Sequence, residues 1–315
     1  MAGKQVRLFL VDGTPGGLMT AEIMNWTGHV LKGKREKLGE IRTRPEARRT
    51  GVYILLGDDL KSVGDRIAYI GQSDDVANRL IQHDARKDFW SEVVVITSKD
   101  TNLTSAHVRY LEARLIRLAK SIGRIPLENG NEPTGGADLP EADASDMEYF
   151  IEQLRVLLPV LGIDMFRGRE TRIAPAGSGP ASAPAPVTAA QATTSPVFRF
   201  KRPKIGVDAQ AQLIDGEFTV LAGSVVCAAM PDRDGFSEST ARQYKVRQEQ
   251  HHKLLEDGSI VIGANGVARL TRDVVFSSSS AAGAIVQGSA SINGREAWGT
   301  EDGTRFGEWE SRDVQ

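Results

Sequence analysis

Cysteine is almost missing from this chain: Cys227 is the only one in 315 residues. That excludes a disulfide framework and a multi-cysteine structural zinc site, and it fits a reducing cytoplasm as the expected location. Long apolar runs are missing too. No stretch reaches the roughly 18 residues a membrane-spanning helix requires, so no membrane partner is expected. The opening residues, MAGKQVRLFLVDG, hold one short apolar run and neither an h-region nor a small-residue cleavage site, so no signal peptide is expected. Aromatics make up only 6% of the chain, while glycine contributes 32 residues, so part of the length is expected outside a packed core. Net charge is small, at −2.

That small total conceals a gradient. Residues 1–50 carry ten Lys and Arg against five Asp and Glu, whereas residues 131–170 carry three against nine. The basic excess gathers in Lys32, Lys34, Arg35, Lys37, Arg42, Arg44, Arg48 and Arg49. Such a cluster suits phosphate contacts and counterion release. Glu36, Glu40 and Glu46 are interleaved with it, which equally suits a solvated helix face.

Hydrophobic periodicity and turn residues divide the chain into five parts. Residues 1–50 read as a strand pair, 5–12 and 18–26, followed by a basic helix over 33–49. Residues 51–130 hold strands at 51–57, 66–70 and 92–97, a helix over 74–86 opened by an Asp cap, and an amphipathic helix over 104–120. Residues 131–170 are an acidic extension with a helix over 146–158 ended by Pro159. Residues 171–198 open with an Ala-, Pro- and Ser-rich run, 171–196, that reads as a flexible linker. Residues 199–315 form a C-terminal α+β domain with strands over 207–227 around Asp215-Gly216, helices over 237–254 and 277–287, and short strands at 259–262 and 267–270.

Residues 51–129 bring Gly51-Val52-Tyr53, Tyr69-Ile70-Gly71, Arg79, His83, Glu112 and Asn129 into one order. This series resembles the GIY-YIG nuclease family, with GVY as the first signature and AYIGQS as the second. The resemblance covers about a quarter of the chain. It implies an α+β fold built on a three-stranded antiparallel sheet flanked by helices. It also implies an endonuclease that hydrolyses phosphodiester bonds of DNA with one divalent ion, Mg²⁺ or Mn²⁺. By match to motif, Tyr53 and Tyr69 are the signature tyrosines, Arg79 the helix arginine, Glu112 the metal-binding acid and Asn129 the residue that closes the module. Gln72 is a departure, since some members carry a lysine there.

The residue types suit that chemistry on their own terms. Phosphodiester hydrolysis builds negative charge that a guanidinium can share over several oxygens. A hard divalent ion needs only one carboxylate when waters and phosphate oxygens complete its shell. A tyrosine hydroxyl can orient or deprotonate water if cations stand near it. Arg79 and His83 lie four apart and share a helix face. His83 is either a contact to phosphate or water, or a helix-surface residue. Gln72, Lys32, Lys34, Arg35, Arg48 and Arg49 are the candidates for contact with nucleic acid. Two other readings stay open: a non-catalytic nucleic-acid-binding protein on the same fold, and an RNA-directed or defence effector nuclease.

The remainder of the chain carries no catalytic set. FSSSSAAGAIVQGSASINGREAW (276–298), followed by Asp302-Gly303, resembles an uncharacterised domain often fused to such nucleases, over roughly 207–310. The stretch VDGTPGGLMTAEIMNWTG resembles an N-terminal extension of the same fused proteins. The Ser run is expected either to cap a small-residue helix or to leave N–H groups free for a phosphate. Trp26 is read as a core residue or a base-stacking one. His251 and His252 diverge by about 100° on a helix, which speaks against a shared metal. Cys227 is expected to be a small buried hydrophobe.

Overall fold

Val52 to Leu56 are all buried, with Val52, Ile54 and Leu56 in one apolar cluster and Tyr53 and Leu55 in another. A strand is apolar on both sides only where layers cover both of its faces. The computed structural model describes residues 3–59, 66–130, 139–170, 195–232 and 235–312. The expected linker at 171–196 lies outside the described residues except for its last two. The chain divides into two units, Met1–Arg167 and Gly168–Gln315.

In the first unit β1 (Val6–Leu10), β2 (Met19–Ile23) and β3 (Gly28–Lys34) lead into a short helix α1 (Leu38–Thr43). Then follow β4 (Gly51–Asp58), β5 (Arg66–Ser73), α2 (Val76–Asp84), β6 (Trp90–Ser98), α3 (Ser105–Ile122) and α4 (Glu141–Val160). The strands form one antiparallel sheet in the order β1-β2-β3-β6-β4-β5. The three strands implied by the family resemblance are thus its β6-β4-β5 half. β3 joins the other half by pairing with β6 from Gly28↔Ser98 to Lys34↔Glu92. The sheet runs without a break across residue 50, and α4 packs on it, so 1–50, 51–130 and 131–167 are one unit rather than three.

The basic helix expected over 33–49 is not formed. Its first residues belong to β3, and the remainder is two 3₁₀ turns, Arg35–Lys37 and Pro45–Arg48, around α1. Pro45 accounts for the interruption, because it cannot donate within a helix and it biases Arg44 toward extended backbone, here φ −74 and ψ 131. Pro159 is tolerated inside the last turn of α4, which runs on to Val160.

Two layers cover the sheet. α3 and α4 lie against Val52, Ile54, Ile70, Val94 and Ile96. Leu18, Ile41, Val76, Leu80 and Trp90 cover the opposite face, which carries Tyr53, Leu55 and Val95. Trp26 belongs to the first layer. It is 5% exposed and its ring centroid lies 4.8 Å from that of Phe150 on α4, so it is a core residue and offers no face to a base.

The second unit holds β7 (Phe198–Arg202), β8 (Val207–Ile214), β9 (Glu217–Val220), β10 (Val225–Val226), α5 (Glu238–Glu256), β11 (Ile260–Ile262), β12 (Ala268–Leu270), β13 (Val274–Phe276), α6 (Ser279–Gln287), α7 (Gly294–Ala297) and α8 (Phe306–Ser311). Its sheet has the order β11-β12-β10-β8-β9-β13, with β7 also paired to β8. Asp215 and Gly216 both have positive φ, 52° and 79°, as a two-residue turn between twisted strands requires. The core gathers Phe198, Phe200, Phe218, Trp298 and Phe306 around α6.

Removing the Trp26 ring leaves Phe150 facing a void. Trp26→Ala is expected to lower the stability of the first unit by about 3–5 kcal/mol, read as a shift in its denaturant midpoint.

Candidate active site

The outer edge of β5 organises the residues singled out by sequence. β5 ends the sheet, so its outward backbone groups need acceptors and donors from elsewhere. The Ala68 N–H donates to the Pro126 carbonyl at 3.0 Å, and the Ala68 carbonyl accepts from the Glu128 N–H at 2.8 Å. One step along, the Ile70 N–H donates to Asn129 Oδ1 at 3.0 Å while Asn129 Nδ2 donates to the Ile70 carbonyl at 2.7 Å. One step further, the Gln72 N–H donates to the carboxylate of Glu112 on α3.

These bonds give Asn129 a structural part. Both polar ends of its amide are committed to Ile70, so it holds the strand edge in place rather than touching a reacting group. Glu112 lies at the point where α3 meets the edge.

α2 supplies the other side of the site. Asp75 caps it by accepting from the Asn78 N–H at 3.0 Å. Val76, Ala77 and Leu80 then anchor the helix on the Tyr53 face, which points Arg79 and His83 at the two tyrosines. Tyr53 and Tyr69 share this face, since Leu55 pairs with Tyr69 and Tyr53 with Gly71. Gly71 makes the arrangement possible: a Cβ there would lie 2.3 Å from the Tyr53 hydroxyl oxygen. The glycine of the second signature is therefore the space into which the tyrosine of the first one fits.

The Tyr53 hydroxyl lies 2.7 Å from His83 Nε2. Arg79 donates to the hydroxyls of both Tyr53 and Tyr69 and also to Gln82 Oε1 at 2.8 Å. With Arg79 donating to the Tyr53 oxygen, we assign the hydroxyl's own hydrogen to His83 Nε2, which places the imidazole proton on Nδ1. The charges agree with that assignment. Burial, and then the cations Arg79, Lys87 and Arg86, push His83 from its ordinary 6.5 down to about 4, so it is neutral and able to accept. Burial and the neighbouring Tyr69 push Tyr53 well above the ordinary tyrosine value, against the pull of Arg79. Burial also raises Glu112, opposed by Arg79 and the Gln72 N–H.

Lys87 is the residue that sequence reasoning missed. Its ammonium lies 4.3 Å from the Tyr69 ring centroid and pairs with Glu128. It continues the four-residue spacing of Arg79 and His83, and its N–H bonds the His83 carbonyl at 2.8 Å beyond the end of α2. That spacing was the available signal. A cation thus stands beside a signature tyrosine although Gln72 is not a lysine, arriving from the helix side instead.

The basic residues of the first fifty behave differently from the expectation of a nucleic-acid face. Lys32 donates to the Leu161 carbonyl at 2.8 Å, beside Glu92. Arg35 bonds Asp84 at 2.7 Å and lies over the Trp90 ring. Arg49 donates to the Ser98 carbonyl at 2.8 Å, and Arg48 to the Arg42 carbonyl at 3.0 Å. These four tie chain segments together, because long cations reach the unpaired carbonyls of turns and helix ends. Lys34 is exposed and Gln72 half-buried.

In the second unit the Ser run caps α6 and ties it to the segment that follows. Ser278 caps α6 by accepting from the Ala281 N–H at 3.1 Å, Ser280 Oγ accepts from the Gly294 N–H at 3.0 Å, and the Trp298 indole donates to the Ser279 carbonyl at 3.0 Å. His251 is buried with Nε2 3.0 Å from the Cys227 carbonyl oxygen, while exposed His252 pairs with Glu256 at 3.1 Å. Cys227 is only partly buried, its thiol 3.2 Å from the Ile285 carbonyl.

Comparison with known families bears on this second unit. Residues 198–310 match a family described as a domain of unknown function, DUF4357. The match runs from β7 into α8 and so takes in the strand that opens the unit, upstream of the 207–310 resemblance. No curated protein and no solved structure matches the chain, and the GIY-YIG family gives no match to it. No helix among the described residues is long and apolar enough to cross a membrane.

The depressed value of His83 has a thermodynamic consequence. The unfolded chain takes up this proton near pH 6.5, and the folded one resists it until about 4, so stability is lost as pH falls through that window. His83→Gln is expected to flatten this loss in stability curves measured across the range. His29, also lowered by burial, is common to both proteins and cancels in the comparison.

Proposed function

We propose that the first unit is a metal-dependent endonuclease acting on DNA. One observation carries the reading: Arg79 joins the hydroxyls of both signature tyrosines and faces Glu112 across the edge of β5. The order of these residues in the sequence supports it independently, through the family resemblance.

The donor set suits a hard divalent ion that keeps most of its waters. No group of three or more His, Cys, Asp and Glu side chains gathers among the described residues, so a closed all-protein cage is not the arrangement on offer. A single half-buried carboxylate is, and Mg²⁺ is commonly held by one or two carboxylates together with waters and phosphate oxygens. Glu112 would hold the ion, which when bound supplies Lewis-acid stabilisation of the leaving oxygen.

The protein's own groups account for the remaining steps. The remaining donors of Arg79 are available to the non-bridging phosphate oxygens, where charge builds as water adds. Tyr69, half-buried beneath Lys87, accepts a hydrogen bond from the attacking water and orients it. Tyr53 is locked between Arg79 and His83 and fixes the guanidinium. In the overall step the water oxygen bonds to phosphorus, one P–O ester bond breaks, and the proton lost by water ends on the leaving oxygen.

Cleavage assays of the full chain on single-stranded, duplex and branched DNA and on RNA, with Mg²⁺ or Mn²⁺, test the reading. Glu112→Gln is expected to abolish cleavage while leaving nucleic-acid binding in place. Full activity of that variant in Mg²⁺ overturns the assignment of the metal ligand. Arg79→Ala is expected to lower turnover by about 10²–10³, as for loss of one oxyanion donor. An effect confined to binding would make Arg79 a docking contact only.

A further inference from the structure

From the end of β7 to the start of β8 the chain runs Lys201-Arg202-Pro203-Lys204-Ile205-Gly206, and all six residues are exposed. Pro203 opens a 3₁₀ turn that Gly206 closes at φ 70°, its N–H donating to the Pro203 carbonyl at 3.2 Å. The turn is therefore a fixed shape that presents three cations within four residues. Among the described residues a single carboxylate answers them, Asp208, 3.4 Å from Lys201, with both side chains about half exposed. A surface pair of that kind neutralises little. Arg202 is held with its guanidinium 4.7 Å from the Phe200 ring centroid, and its Nε donates to Gln287 Oε1 at 3.4 Å. Lys204 has no side-chain partner among the described residues.

This turn forms one wall of a cleft of about 540 Å³, lined by Lys201, Arg202, Pro203, Lys204, Ile205 and Gln287 together with the end of α6. Such a volume is ample for a small organic group, clefts for which run roughly 300–1,000 Å³. No carboxylate lines it. The Gly288 and Ser289 N–H groups bond the Ile285 and Ala284 carbonyls, so the last turn of α6 is closed rather than presenting open carbonyls to an anion. Ile205 is 54% exposed at the mouth. The lining is thus cationic at the rim and apolar at Pro203 and Ile205.

A ligand complementary to this surface is anionic along its length and carries a flat, partly apolar group. We propose that the turn and cleft bind a single strand of DNA, with Lys201, Arg202 and Lys204 on its phosphates and an unpaired base against Pro203 and Ile205. A duplex would satisfy the cations but would keep its bases stacked away from the apolar part. The proposal does not depend on cleavage by the first unit, because it concerns binding through the second.

The test is fluorescence anisotropy of the full chain with a short labelled oligodeoxynucleotide in EDTA, where no cutting intervenes. Lys204→Glu and Ile205→Asp alter exposed side chains, and far-UV circular dichroism checks that both variants fold. Lys204→Glu is expected to weaken binding about ten-fold and to reduce the slope of log K against log salt by about 0.7, the value for one phosphate contact on a single strand. Ile205→Asp is expected to bring single-strand affinity down to that for the duplex of the same sequence. Both substitutions lie in the second unit and binding is read without a metal, which separates the inference from the cleavage reading. Unaltered affinity and salt slope in both variants overturn it. So does equal binding of duplex and single strand by the unmodified chain, or tighter binding of an RNA of the same sequence.

Discussion

The unpaired edge of β5 is the constraint from which the first unit is arranged. A sheet must end somewhere, and its last strand leaves a row of backbone donors and acceptors that bury or aggregate badly. Here the row is answered in order by the Pro126 carbonyl, the Asn129 amide and the Glu112 carboxylate. Those partners fix the return of the chain after α3 and the seating of α3 itself. They also fix the position of Glu112, whose carboxylate interacts with Arg79. Glu112 is held by a backbone N–H, not by another flexible side chain, so its direction is set by the sheet.

Around that edge, burial sorts the charges. Arg79 is the cation shared by Tyr53, Tyr69 and Glu112, and its presence lets a buried carboxylate and two hydroxyls lie close together. The same burial makes His83 a neutral acceptor and keeps the proton on Tyr53. The group with more freedom is Tyr69, half-buried under the Lys87 ammonium. Two tyrosines of similar appearance in the sequence are therefore unequal in the fold: one is a fixed member of a hydrogen-bonded chain, the other opens toward solvent.

The second unit answers to a different constraint. Its helix α6 is built mostly from small residues, so the aromatic side chains of the strands, of Trp298 after α7 and of α8 close around it. The serines at its start serve that closure: Ser278 caps the helix and Ser280 holds the Gly294 N–H. Positive charge appears instead at the β7–β8 turn, where Pro203 and Gly206 hold it away from the core.

Much of the first unit was legible in its sequence. Alternation and β-rich composition marked β4, β5 and β6, and capping residues marked α2 and α3, because local geometry alone brings i and i+4 or alternate strand positions to one face; Tyr53, Tyr69, Arg79 and Glu112 were singled out by the family resemblance and lie on four separate elements. The Asp215-Gly216 turn was legible for the same reason. What sequence could not supply were the partners across long separations. β3 contains two glycines and two lysines and has weak strand propensity of its own; its pairing with β6 decides its state. Lys32, Arg35, Arg48 and Arg49 looked alike as basic residues, and only the fold tells a cation that bonds a carbonyl 129 residues away from one that meets solvent. Asn129 likewise became a clasp on Ile70, and Lys87 a neighbour of Tyr69, through the return of the chain past β5. Periodicity reports which face a residue occupies; the tertiary structure alone decides what waits on that face, because the contacts that fix charge and hydrogen bonding there come from distant segments.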